Sequence, residues 1–341
     1  MGSVPRWVLV VVGVVILVAA LDVVVFVAAR GHGEAAVVPR VGSGAVAVID
    51  PRSGHVMTRI PVGREPTAVA AGFGGVWVLN KGAGTVTHID ARSARVVSTL
   101  APDATANALT LGAGGVWFAG HARSRASAPL EAALLERIDP ATGTVDRRLE
   151  THTGASVVAA GRGALWSTGY LGGHIRGAAR SDAATGALLR LDIGIYGDLV
   201  TADDDAVYYV ASIANRVVRV STKTARLTGS LNLISDASLA AGNVPASATG
   251  VALGGDSVWI SKSDGTVLRV RRDLSRITAD VKACVNAIAV AYGESAVWVA
   301  CGDDTVVRVD PATNRAAKVA SLGRLPRGIA AGEGGVWVTL N

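Results

Sequence analysis

The nine residues "VAAGFGGVW" (Val69–Trp77) recur along the chain, and that recurrence reveals its architecture. "LTLGAGGVW" (Leu109–Trp117), "VAAGRGALW" (Val158–Trp166), "VTADDDAVY" (Val200–Tyr208), "VALGGDSVW" (Val251–Trp259), "VAYGESAVW" (Val290–Trp298) and "IAAGEGGVW" (Ile329–Trp337) align with it without gaps. The terminal aromatics follow one another at 40, 49, 42, 51, 39 and 39 residues. Glycine holds the fourth place in every copy but one, where Asp203 stands, and that copy also ends in Tyr208 rather than Trp. Each copy reads as an apolar strand, a glycine-rich turn that needs positive φ, and a second strand.

A second pair of strands follows the copies, as in "TVTHIDARSARVVSTL" (Thr85–Leu100), "LLERIDPATGTVDRRL" (Leu134–Leu149) and "TVVRVDPATNRAAKVA" (Thr305–Ala320). Turn residues of the Asp-Pro-Ala-Thr-Gly kind sit between alternating runs, as in a hairpin. Four antiparallel strands, here a to d, recurring about every 40 residues are the pattern of a β-propeller blade. The last copy has a and b but no c and d. Val41–Gly63 ("VGSGAVAVIDPRSGHVMTRIPVG") has c and d but no a and b. The expected fold is therefore all-β: a seven-bladed β-propeller over 41–341 whose termini share one blade. Closure of that kind removes the unpaired sheet edge.

Ahead of it, Trp7 to Ala29 is apolar or glycine except for Asp22, long enough for a transmembrane helix. Residues 1–6 form a short flank, 7–29 the anchor and 30–40 a linker. A cleaved signal peptide ending near Val18-Ala19-Ala20 is the alternative. Either reading puts the propeller on the extracytoplasmic side. Half of the residues are apolar and 18% are charged, which excludes a disordered chain. The formal charge of +6 comes without a compact Lys/Arg cluster, so no nucleic-acid partner is expected.

The repeated "GVWV…G…V.RIDPATG" pattern resembles the bacterial seven-bladed propellers of the YncE-like, YVTN-repeat group, and is similar to the related streptogramin (virginiamycin B) lyases. The resemblance covers nearly everything after Val41 and implies the fold. For the lyases it implies a His and Glu set with a divalent metal at the central channel. The strand-b ends here read "VWVLN", "VWFAG", "LWSTG", "VYYVA", "VWISK", "VWVAC" and "VWVTL", none with that Glu, and all six His lie at or before His174. No catalytic residue carries over, and no cofactor or metal is implied by the residues themselves.

Loop lengths vary on one face only, that of the d–a and b–c connections, through Gly120–Ala133, Asn232–Ala248 and Thr168–His174. Insertions on one face mark a binding face. The candidates there are Arg64, Asn80, Lys81, His121, Arg123, Arg125, His152, Tyr170, His174, Arg324 and Arg327, with Tyr196 and Asp198 beside them. Their chemistry suits an acidic ligand better than a metal, since no two His have ligand spacing. Cys284 and Cys301 flank one a–b hairpin and are expected to form a disulfide, in keeping with an oxidising compartment. Asp203-Asp204-Asp205 reads as a polar turn rather than a Ca²⁺ loop, and the repeated Trp as packing between blades. The expected role is a ligand-binding or protein-interaction module for an envelope protein, glycan or small ligand. The alternative is a streptogramin-lyase-like or other metal-assisted lyase or hydrolase.

Overall fold

A computed structural model describes residues 44–122, 133–151, 153–171, 175–234 and 245–341. The expected anchor (7–29) and linker (30–40) lie outside the described residues. Among the described residues every regular element is a strand, and no helix is long and apolar enough to cross a membrane.

The strands form seven four-stranded antiparallel sheets. Strand a of blade 1 is Pro66–Gly72 and strand b is Gly75–Asn80. Blade 7 takes strands a and b from Pro326–Gly332 and Gly335–Leu340, and strands c and d from Gly44–Ile49 and Val56–Val62. Its seam runs in register from Ala45 opposite Leu340 to Ile49 opposite Val336. The two ends of the propeller thus close one sheet, as expected. Strand a of each blade touches strand a of the next all the way round, blade 7 back to blade 1 included.

Seven apolar clusters each bridge one blade boundary. The repeated aromatic sits in every one. Trp77 packs on Phe118 of blade 2, Trp166 on Tyr209 of blade 4, and Trp337 on Val76 and Val78 of blade 1. All six of these Trp are buried to within 1% of full burial. Burial of such a ring is worth roughly 4–6 kcal/mol by area. Cross-strand pairing sets Arg180, Arg269 and Arg308 of strand c over Trp166, Trp259 and Trp298, 5.9, 5.1 and 6.0 Å from the ring centres. In blade 1 His88 stacks on Trp77 instead, 3.9 Å between centroids.

The fourth-place glycine has a reason beyond its turn. Positive φ falls chiefly on the residues after it, such as Phe73 and Gly74 or Arg162 and Gly163, although Gly112 and Gly332 themselves have φ of +135° and +158°. Gly72, Gly112, Gly161, Gly254 and Gly293 also let neighbouring blades close up. A Cβ on Gly72 would stand 2.7 Å from Leu111 of blade 2, and one on Gly161 or Gly293 would run into the backbone of Asp203 or Ala331 in the next blade. Where Asp203 replaces glycine, it reaches Arg272 of blade 5, 2.5 Å away. Burial alone would raise the Asp203 carboxyl; the amides of Ala206 and Asp205 and the Arg272 charge outweigh it and hold the carboxyl low.

Candidate functional site

Strand a runs from the d–a side of the ring to the a–b side, so the d–a and b–c connections share one face. Two adjoining concavities lie on that face, on either side of the linker Asp192–Asp198 that joins blade 3 to blade 4. One of about 280 Å³ faces Gly177 and Leu191 of blade 3. The other, about 420 Å³, lies between Gly194–Asp198 and the b–c turn of blade 4, Ala211–Ala214 with Arg216.

The linker is held from both sides. The Thr168 hydroxyl of blade 3 donates to the Gly197 carbonyl. Gly197 is glycine because the chain crosses Tyr209 there; a Cβ would stand 2.9 Å from that residue's own Cβ. Asp198 accepts from the Ser212 amide at 2.8 Å and from the Ser212 hydroxyl, which fixes the b–c turn over the cavity. Tyr196 is half-buried in the wall common to both cavities. Arg216 donates to Ser230 Oγ at 2.8 Å and keeps its charge at the rim. Ile213 stands 86% exposed at the tip of the turn, the largest exposure among the described large apolar residues. The site thus offers an apolar tip, a phenol, a carboxylate with two donors already bound, and a peripheral guanidinium.

Of the residues expected on this face, Arg64 is exposed and donates to the Gly82 carbonyl at 3.0 Å. Lys81 is exposed beside it. Asn80 is fully buried and donates to Thr85 and Thr87, so it braces the b–c turn of blade 1 from inside. His121 is exposed on strand b of blade 2, opposite Thr105. Tyr170 lies near the end of strand b of blade 3, opposite Gly154 and Arg176. Arg324 donates to the Asn341 carbonyl at 3.1 Å, and Arg327 is exposed at the start of strand a of blade 7. Arg123, Arg125, His152 and His174 lie outside the described residues, as do most of the long loops that suggested this face. Among the described residues no three His, Cys, Asp or Glu converge as metal ligands. Cys284 and Cys301 are bonded, with their Cα atoms 6.3 Å apart, and the bridge ties the d–a linker of blades 5 and 6 to the end of strand b of blade 6.

Ser212, Ile213 and Arg216 were not among the sequence candidates. The signal for them was the fourth repeat's loss of glycine and Trp, since the cavity opens at that blade.

No family model matches the chain, and no curated protein matches it. Its fold does match solved structures. One is the crystal structure of the computationally designed Ika8 protein, with a TM-score of 0.53 and 16% identity over 73% of this chain and 72% of that one. At that identity the likeness concerns the fold alone.

Proposed function

We propose that this chain is an extracytoplasmic recognition module, tethered through residues 7–29, that seats its ligand on the d–a/b–c face at the linker between blades 3 and 4. The observation that carries the reading is the 420 Å³ cavity under Ile213, framed by Tyr196, Asp198 and Ser212. Its size falls within the ~300–1,000 Å³ of small-molecule sites, and its mixed apolar and polar wall suits a ligand held by a few oriented groups. An envelope protein, a glycan or a small ligand could present such a group. The disulfide supports an oxidising compartment. A binding role also fits the resemblance to YncE-like, YVTN-repeat propellers, whose repeat supplies a scaffold and leaves the loops free to vary.

The test is photo-crosslinking in intact cells, with a photoreactive residue placed at Ile213 of the full chain. Met57, 65% exposed on an outer strand, serves as the comparison site. One dominant adduct at position 213, weakened by Tyr196→Ala, is the expected result. Equal labelling from positions 57 and 213 would sink the assignment.

A further inference from the structure

Six of the seven inner strands carry a bulge near the d–a end. The register slips between Pro66 and Ala68, Ala106 and Ala108, Ala155 and Val157, Ala248 and Gly250, and Ala287 and Ala289. In blade 7 it slips between Pro326 and Ile329. The extra residues are therefore Thr67, Asn107, Ser156, Thr249, Ile288 and the pair Arg327–Gly328. All hold the same place in their blades, so they ring the channel at its mouth. Bulges commonly re-aim side chains beside functional sites.

The seven inner strands contain one charged residue, Arg327. It is exposed and makes no hydrogen bond or ion pair with the described residues. Blades 1, 2 and 3 follow it round the ring with Thr67, Asn107 and Ser156. Asn107 and Ser156 are half-buried, and their side chains also make no hydrogen bond with the described residues. Thr249, across the ring, already shares a hydrogen bond with Ser261 at 2.9 Å, and Ile288 is apolar. The Thr67 hydroxyl is buried, so the unspent polar groups open to the mouth are those of blades 7, 2 and 3. Below them the strands are alanine, valine, leucine, glycine and threonine for the most part, and bring no counter-charge. The inner strands' a–b turns hold Glu333 and Glu294, which accept the amides of Gly74 and Gly334 from the next blade, each at 3.0 Å; on the d–a side, Glu65 lies over Gly82 and Asp103 is paired with Arg148. A guanidinium on inner strands that carry no other charge attracts anions. Its planar fork matches a carboxylate or a phosphate.

We propose that this mouth binds a small hydroxylated organic anion, with its carboxylate or phosphate on Arg327 and its hydroxyl groups on Asn107 and Ser156. The site is separate from the cavity at the blade 3–4 linker.

The test is titration calorimetry of the full chain at low salt with glucuronate, glucose 6-phosphate and glucose. Saturable binding of at least one anion is expected, with glucose weaker by about tenfold or more. Arg327→Gln should weaken the anion by about tenfold, or ~1.4 kcal/mol, and Arg327→Lys by less. Asn107→Ala should weaken glucuronate or glucose 6-phosphate more than it weakens acetate or inorganic phosphate. Whichever anion binds identifies the head group as carboxylate or phosphate. The proposal is overturned if neither anion saturates at millimolar concentration, if glucose binds equally well, or if Arg327→Gln binds like the unsubstituted chain.

Discussion

Gly161→Ala separates two reasons for the repeated glycine. If the fourth-place glycine serves the turn, its substitution should act through backbone conformation. The structure says it acts through the neighbouring blade. An added Cβ would lie 3.1 Å from the Asp203 carbonyl carbon and closer still to its oxygen, with Ala202 Cβ at 3.3 Å. Ordinary carbon contacts lie near 3.5–4.0 Å, so the blade 3–4 boundary must open by about half an ångström or more. Overpacking of this kind costs about 1–3 kcal/mol. With unfolding entropy near 2.1 cal/mol/K per residue, a domain of this size loses about 2–5 °C in melting temperature. Gly163 is the internal comparison, since it has φ +68° and nothing within 4 Å of a Cβ. Gly163→Asn should be nearly neutral because asparagine tolerates the left-handed region, whereas Gly161→Asn should be at least as damaging as Gly161→Ala. Urea unfolding of these variants measures this. If Gly161→Ala were neutral while Gly163→Asn unfolded the domain, the close-approach argument would be wrong.

Three further outcomes follow from the same geometry. Cys284 and Cys301 are separated by 17 residues, for which loop entropy gives about 3 kcal/mol; calorimetry with and without reductant should show a drop of about 5 °C, and an unchanged melting point would refute the contribution. Ala225 occupies φ +54° in a c–d turn where Gly143 and Gly186 stand in other blades, so Ala225→Gly should raise the urea midpoint by the equivalent of up to ~1 kcal/mol; a lowered midpoint would contradict it. The turn aspartates Asp50, Asp90, Asp182, Asp273 and Asp310 are held below their ordinary values by amides and hydroxyls of their own turns, Asp273 at about 2, chiefly by the Ser275 hydroxyl. Their stabilisation is complete above the unfolded carboxylate value of about 4 and is lost as pH falls through the lower folded values. The melting temperature should therefore fall steeply between about pH 4 and pH 2, and Asp273→Asn should blunt that fall. His88, held low by burial, adds a smaller loss as pH drops below about 6.5, because the unfolded chain takes up that proton first. A melting temperature indifferent to pH down to about 2 would refute the turn assignment.

The sequence displayed whatever repeats within a blade. The strand order, the shared blade, the packing role of the Trp residues and the disulfide were all readable, because each rests on a local pattern met several times or on one hairpin. What it hid depends on a neighbour. The need for Gly161 is visible only once Asp203 of the next blade is beside it. Arg180, Arg269 and Arg308 face Trp only through the register between strands b and c. The bulges that set Asn107 and Arg327 at equal heights are slips of pairing, which periodicity in one strand does not carry. The place of Asn80 at a strand end suggests a surface side chain, but the fold turns it inward onto Thr85 and Thr87.

The fourth repeat shows how such signals can be recovered. It departs from the pattern at Asp203 and Tyr208. Its strand a, Leu199–Ala202, has only four residues, as has strand d of the blade before it, Leu188–Leu191. Shortening both strands lengthens the linker between them, and the linker builds both cavities. Tyr208, lacking the indole nitrogen, turns its hydroxyl to the Arg272 carbonyl at 2.8 Å, and Asp203 pairs with the Arg272 side chain. The lost glycine contact and Trp are thus replaced by polar bonds to blade 5, so the boundary stays closed although the repeat is broken. Blade 4 gives up the consensus, and blade 5 supplies the replacement. The break in the repeat is for that reason a pointer to the proposed binding region: the irregular blade keeps its packing on blade 5 through Arg272 and gains, on its other side, the room in which Tyr196, Asp198 and Ser212 meet.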